Sequence, residues 1–399
     1  MSEWREVLLG NAPIEILDGD RGKNYPKKHE FLDEGFCLFL NTKNVTSSGF
    51  NFTDLNFITK EKDGILRKGK MERNDVVLTT RGTVGNVAFY NEKIIFDSIR
   101  INSGMVIIRP IQAEIHPVFN FQLFKYLTLD LSEFVSGSAQ PQLPIRDLKQ
   151  IPILLPPLPE QKAIAEVLSS LDDKIDLLHR QNKTLEQMAE TLFRQWFVEE
   201  AGEDWEEVPL SYFGKIICGK TPSKKKPEFY NGDIPFIKIP DMHRNTYIFH
   251  TADTLTMEGS NSQKNKLLPP ESICVSCIAT VGLVSMNIVE SQTNQQINSI
   301  IPSKDVYRYF LYLYMKASYD ELHAMASGGT ATLNLNTGSF SKTEVIKPNL
   351  NILEKFHNMV ETKFNKIFSN QKQIRTLQSL RDTLLPKLMS GEVRIASNG

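Results

Sequence analysis

Cysteine is scarce here, four in 399 residues, which argues against a disulfide framework and points to a reducing compartment, with the cytoplasm expected. Two of the four, Cys274 and Cys277, form a lone CxxC with no second pair. The stretch 272-SICVSCIATVGLVSM-286 reads as a strand, in which residues three apart point to opposite faces. The pair is therefore expected to be buried as small apolar residues rather than to bind zinc or exchange electrons. No apolar run is long enough to cross a bilayer. The first residues, MSEWREVLLGNAPIEILDGDRG, are acidic and broken by Pro and Gly, unlike a signal peptide. The net charge is only -1, so any nucleic-acid contact must come from a local basic face. The seven histidines show no metal-ligand spacing. GxSxG, HExxH, the (D/N)PP(Y/F) segment of adenine methyltransferases and a glycine-rich cofactor loop are all missing.

One catalytic-looking motif is present. The stretch 214-GKIICGKT-221 fits GxxxxGK(S/T), the phosphate loop of nucleotide hydrolases. A working loop of that kind leads into a helix whose N-terminus holds the phosphates. Here Pro222, Pro227 and Asn231-Gly232 follow, so no useful helix can form. A P-loop enzyme is thus the weaker reading.

Repetition organises the chain. Trp4-Arg5-Glu6-Val7 is answered by Trp205-Glu206-Glu207-Val208, and Thr83-Val84-Gly85 by Thr280-Val281-Gly282. Ile101-Asn102-Ser103 recurs as Ile297-Asn298-Ser299, Tyr126-Leu127 as Tyr312-Leu313, and Ser136-Gly137 as Ser327-Gly328. The segments 151-IPILLPPL-158 and 184-TLEQMAETL-192 recur as 343-TEVIKPNL-350 and 376-TLQSLRDTL-384. Matches kept in order mean a duplication. Aligned at Gly19 and Gly219, copy one reads 16-ILDGDRG-22 where copy two reads 216-IICGKTP-222. The shared element is a strand and turn built on one glycine, with Asp20 in the place of Lys220.

Each copy mixes short β-type runs (75-DVVLTTRG, 104-GMVIIRP, 234-IPFIKIP, 273-ICVSCIATVG) with a helical stretch near 118–134 or 305–323, an α+β unit. A long helix follows. In copy one its seam is Ile164, Leu168, Leu171, Ile175, Leu178, Asn182, Leu185, Ala189, Leu192 and Trp196, alternating steps of four and three. Copy two gives Phe356, Val360, Lys363, Ile367, Asn370, Ile374, Leu377, Arg381, Leu384 and Leu388, a less regular seam. The expected architecture is α+β: two globular heads separated by two long helices that pair as an antiparallel coiled coil. The expected divisions are 1–154, 155–200, 201–347 and 348–399. Each helix is a rod of roughly 50 Å. In a symmetric antiparallel overlap Asn182 faces Asn370, a polar pair of the kind that fixes register.

The heads carry basic, turn-rich stretches in matching places. Head one offers 20-DRGKNYPKKHEF-31 (Arg21, Lys23, Lys27, Lys28), 67-RKGKMER-73 (Lys68, Lys70) and Thr80-Arg81. Head two offers 219-GKTPSKKKPEFYNGD-233 (Lys220, Thr221, Ser223, Lys224, Lys225, Lys226), Lys238, and His243-Arg244. Cations beside Ser, Thr, Asn and Tyr on loops suit phosphate positioning and base-edge reading. These residues are candidate DNA contacts. A scaffold whose heads bind protein is the competing reading.

The whole chain resembles the specificity (S) subunit of type I restriction–modification systems. The resemblance rests on the two WxEV starts, 18-DGDRGKNYPKK-28, 219-GKTPS with 233-DIPFIKIPDM-242, and the segments at 83–85 and 136–144. It also rests on 155-LPPLPEQKAIAEVLSSLDDKIDLLHRQN-182 and 384-LLPKLMSGEVRI-395. Copy two departs where PPLPEQ becomes Pro348-Asn349-Leu350-Asn351-Ile352-Leu353. The resemblance implies a non-catalytic chain whose two target-recognition domains each read half of a split double-stranded DNA site. It implies helices that set the unread spacer and dock two modification subunits, which bind S-adenosylmethionine and methylate adenine. Restriction subunits would add ATP- and Mg-dependent translocation and cleavage. No cofactor or metal is expected on this chain, and no membrane partner. An S-like subunit of a methylation-only complex has the same sequence signature.

Overall fold

The computed structural model describes residues 4–134, 141–327 and 333–395. Ser136-Gly137, Gly328 and positions 136–140 of the motif at 136–144 lie outside them. The chain forms two compact units, Met1–Lys174 with Leu377–Gly399, and Ile175–Thr376. Each unit therefore contains one head and a part of both long helices.

In the first unit, Arg5–Leu8 pairs antiparallel with Pro152–Leu155, Arg5 opposite Leu155. This ladder closes the head just before the first long helix, Leu158–Arg194. Four strands in the order 14–18, 105–110, 76–79, 87–89 form the main sheet. Val76, Leu78, Val106 and Ile108 put apolar side chains on the face that packs under the helix Pro117–Leu127. A second sheet joins Phe57–Ile58, Cys37–Leu40 and Ile99–Ile101, the last two in parallel.

The second unit repeats this plan. Glu206–Pro209 pairs antiparallel with Glu344–Lys347 just before the second long helix, Leu350–Met389. The main sheet runs 214–218, 297–302, 273–276, 284–287, with 247–248 added at its edge. The smaller sheet again has a parallel pair, Tyr230–Ile237 with Gln292–Thr293. The stretch 272–286 corrects the single strand expected from its apolar content. It is an antiparallel hairpin, Ile273–Ser276 with Val284–Asn287, turned by Ala279 at φ 66° and Gly282 at φ 89°. Cys274 and Cys277 are both buried, with burial pushing their thiols up to about 12 and about 11.

The helices pair antiparallel within each unit. In the first, Ile164 and Leu168 share a core with Leu385 and Leu388. Asp172 accepts from Arg381 at 2.9 Å and from Gln122 of the head at 3.1 Å. In the second, Ala189, Phe193 and Phe197 pack with Phe356, Val360 and Ile367. There Asn370, fully buried, donates to Asn182 Oδ1 at 2.8 Å. The first helix runs beyond Arg194 as a π-helical turn, Gln195–Glu199, which places Phe197 4.8 Å from the Phe356 ring.

One seam position needs correction. Phe364, not Lys363, is the fully buried residue, and the Lys363 ammonium folds back onto the Met359 carbonyl at 2.9 Å. The helix must also face its own head, and Phe364 stacks on Tyr309 with ring centroids 4.3 Å apart. A straight helix drifts relative to a strict heptad, so its apolar stripe broadens toward the head. Burying that ring contributes about 2–3 kcal/mol.

Candidate nucleic-acid interface

In head one the strands 14–18 and 76–79 end where strand 105–110 begins, since Asp18 lies opposite Val106 and Thr79 opposite Met105. The loops leaving this edge gather at one end of the sheet. Gly19 is required there: a Cβ on it would lie 2.3 Å from the Asn102 carbonyl oxygen. Asp20, buried, then accepts from the N–H of Gly22 at 2.7 Å and of Arg67 at 2.8 Å. The Gly22 N–H is the main reason its carboxyl sits below the usual carboxylate range, against the opposing effect of burial. Asp20 thus ties the loop bearing Arg21 and Lys23 to the one bearing Lys68. Arg21 pairs with Asp18 at 3.0 Å. Arg21, Arg81, Asp18 and Gln142 line a recess of about 220 Å³.

Head two builds the same end from different side chains. A Cβ on Gly219 would lie 2.1 Å from the Asn294 carbonyl oxygen. Lys220 is exposed, and its carbonyl accepts from the buried Gln263 amide at 2.7 Å, which takes over the loop-holding part played by Asp20. Thr221 donates to Gln295 Oε1 at 2.6 Å. Ser223, Lys224, Lys225 and Lys226 are exposed on a turn closed by the Lys226 N–H and the Ser223 carbonyl.

The phosphate-loop reading of 214–221 fails on this geometry. Gly214–Cys218 is a strand paired with 298–302. The amides of Gly219 and Lys220 already donate to the carbonyls of Ile297 and Thr293, at 3.0 and 2.9 Å. Only a single 3-10 turn, Pro227–Phe229, follows.

Three expected contacts, Thr80, Lys70 and Lys238, are engaged within the fold itself and are corrected here. Thr80 is buried and its hydroxyl donates to the Gly104 carbonyl at 3.2 Å. The Lys70 ammonium is held by Asp63 at 2.9 Å and by Ser98, a network shared with Arg100. Lys238 pairs with Asp253. His243 and Arg244 are exposed at this same end of the sheet, but beside its far edge strand 247–248, where Ser285 donates to the Asn245 carbonyl at 2.6 Å. Lys27 and Lys28 are exposed on a 3-10 turn, whose Lys27 N–H donates to Glu30 at 2.7 Å. Sequence reasoning missed Gln142, Gln263, Gln295 and the organising role of Asp20, because neutral amides and a buried carboxylate carry no basic signature.

Among the described residues no group of His, Cys, Asp and Glu could hold a metal ion, and no helix is long and apolar enough to cross a membrane. What the two ends offer is a pair of polar, partly cationic loop clusters on rigid sheet edges.

A family model for the type I restriction modification DNA specificity domain matches the chain twice, over residues 1–187 and 202–382. The chain belongs to the type I restriction–modification specificity subunits. A HindI specificity subunit of Haemophilus influenzae is 33% identical to it, over 98% of this chain and 100% of that protein. An MjaIX specificity subunit of Methanocaldococcus jannaschii is 29% identical, over 81% of this chain and 78% of that one. The fold matches that of the type I S subunit from M. genitalium, with TM-score 0.59 at 16% identity, over 97% and 96% of the two chains. The specificity subunit is the DNA-recognition component of its system, not the catalyst, and its two matched domains are the two heads. The sheet-end loops are accordingly the candidate surface for DNA.

Proposed function

We propose that each head of this specificity subunit reads one half of a bipartite, asymmetric DNA site, and that the paired helices set the unread gap. The observation that carries this reading is the duplicated sheet end. Gly19 and Gly219 occupy the same crowded place, yet Arg21 and Arg81 project beside one and Lys220 and Thr221 beside the other. One backbone with two side-chain sets suits two unlike half-sites better than a palindrome. The exposed cations would position phosphates, and fewer side chains would reach base edges.

In this reading two modification subunits dock on the helices, bring S-adenosylmethionine and methylate an adenine flipped from the duplex. Restriction subunits that use ATP and Mg complete the assembly, in the cytoplasm of a prokaryotic cell. The test is a titration of the chain, with and without its modification subunit, against duplex DNA at several salt concentrations. Binding whose logarithm falls linearly with log salt supports the reading, because neutralised phosphates release counterions. Absence of DNA affinity both alone and with the modification subunit would sink it.

A further inference from the structure

We propose that Arg81 is a base-reading residue of head one, selecting guanine, and that Ile278 is its counterpart in head two, where it selects by apolar contact. The assignment rests on the two-reader account above and deepens it.

The two residues occupy one backbone position. Arg81 forms an isolated bridge with Gln142, and Ile278 forms one with Asn334. The next residue is left-handed in both heads, Gly82 at φ 73° and Ala279 at φ 66°, as are Gly85 at 98° and Gly282 at 89°. The hydrogen bonds agree as well. Leu143 N–H donates to the Thr80 carbonyl at 2.9 Å, and Leu335 N–H to the Cys277 carbonyl at 2.8 Å. Gly85 N–H donates to Thr79 at 3.0 Å, and Gly282 N–H to Ser276 at 2.9 Å. Both turns are therefore fixed to the sheet and present their side chain from the same place.

A guanidinium in one copy and a sec-butyl group in the other separate two roles. The phosphate lattice of a duplex is the same in every sequence, so a phosphate contact at an equivalent point calls for a cation in both heads. Base edges differ between half-sites, so a reading position is where the copies should part. The surroundings of Arg81 agree. It is exposed, its side chain makes no hydrogen bond or ion pair with a described residue, and its recess also holds the Gln142 amide and the Asp18 carboxylate, which is paired with Arg21 at 3.0 Å. Such mixed donors and acceptors suit a base pair edge. Arginine's planar fork matches O6 and N7 of guanine in the major groove. Isoleucine has no donor and can contact only an apolar group, of which the thymine methyl is the one offered there.

The test maps methylated adenines in DNA from a host expressing this chain with its modification subunit. Wild type, Arg81→Ala, Arg81→Ile, Ile278→Arg and Lys224→Ala are compared. Arg81→Ala and Arg81→Ile should make one guanine position in one half of the motif degenerate, with disfavoured bases gaining about 10-fold relative to guanine. Ile278→Arg should alter only the other half, and Lys224→Ala should lower methylation evenly. An unchanged motif at Arg81→Ala, with methylation only weaker everywhere, would overturn the assignment and make Arg81 a phosphate contact. If a variant methylates nothing, competition binding of the purified complex decides. A ratio of cognate to guanine-substituted duplex equal to that of wild type overturns the proposal, and a collapsed ratio upholds it. A wild-type motif that is not bipartite removes the two-reader account itself, a result distinct from these.

Discussion

Asn370 Nδ2 donates to Asn182 Oδ1 at 2.8 Å, from a side chain with no exposed surface, in the helix pair of the second unit. The same amide also reaches Gln181 Oε1 at 3.3 Å, while Asn370 Oδ1 has no partner. A seam that tolerates such a polar contact loses stability and gains a defined register. Asn370→Ala should cost about 1–3 kcal/mol, because it leaves a cavity and an unpaired Asn182. Replacing both by Leu should recover that loss or exceed it. Denaturant unfolding of wild type, Asn182→Leu, Asn370→Leu and the double Leu variant measures this, and additive single effects would contradict the pairing.

Asp172 plays the analogous part in the first unit. Lys125, Gln122 and Arg381 converge on one carboxylate, at 3.4, 3.1 and 2.9 Å. Burial raises its pKa, but Lys125 and Arg381 outweigh that and hold it below the usual range. Asp172→Ala strands the Lys125 ammonium while Arg381 keeps Asp382 at 2.8 Å, whereas Arg381→Ala leaves the carboxylate with two donors. The first substitution should therefore cost more than the second, by about 1 kcal/mol or more in thermal or chemical unfolding.

Acid should loosen the first unit through Glu160. Arg394 binds this carboxylate at 2.5 and 2.7 Å, Trp4 adds its indole N–H at 3.0 Å, and Arg394 chiefly depresses the pKa. A depressed carboxylate stabilises the fold above its ordinary range and loses that contribution as pH falls through the folded value. Glu160→Gln should flatten the fall in stability below about pH 5 relative to wild type. Melting temperatures at stepped pH read this directly, and parallel curves for the two proteins would refute it.

Thiol chemistry should be confined to one site. Cys37, Cys274 and Cys277 are buried, and burial raises all three thiols, Cys37 to about 11. Cys218 is half-buried at the sheet end beside Gln295. Maleimide on the native protein should label Cys218 in minutes and the others only on unfolding, as followed by peptide mass mapping. Fast labelling of Cys274 would contradict the hairpin burial.

The parts legible in the sequence were those written in local period or in repetition. The helix seam announced itself by alternating steps of four and three, and Asn182 and Asn370 followed from centring the two seams. The strand-glycine turn at 214–221 was legible because copy one repeats it with Asp20 in place of Lys220. What stayed hidden depended on partners distant along the chain. Phe364 is buried by Tyr309 and Tyr312 of the head, which no heptad count includes. Thr80 and Lys238 read as available in the sequence, whereas Gly104 and Asp253 hold them in the fold. The hairpin within 272–286 turns on Ala279, whose left-handed φ of 66° leaves no glycine signal at that position.

The central claim is that two readers are held apart by a helical ruler, and one insertion tests it. Seven residues added to each long helix, between Lys174 and Ile175 and between Thr376 and Leu377, preserve the heptad and lengthen the pair by about 10 Å. That is about three base pairs of duplex. Mapping of methylated adenines should return both wild-type half-sites unchanged, separated by a gap about three base pairs longer. An unchanged gap, or altered half-sites with the same gap, would contradict the account.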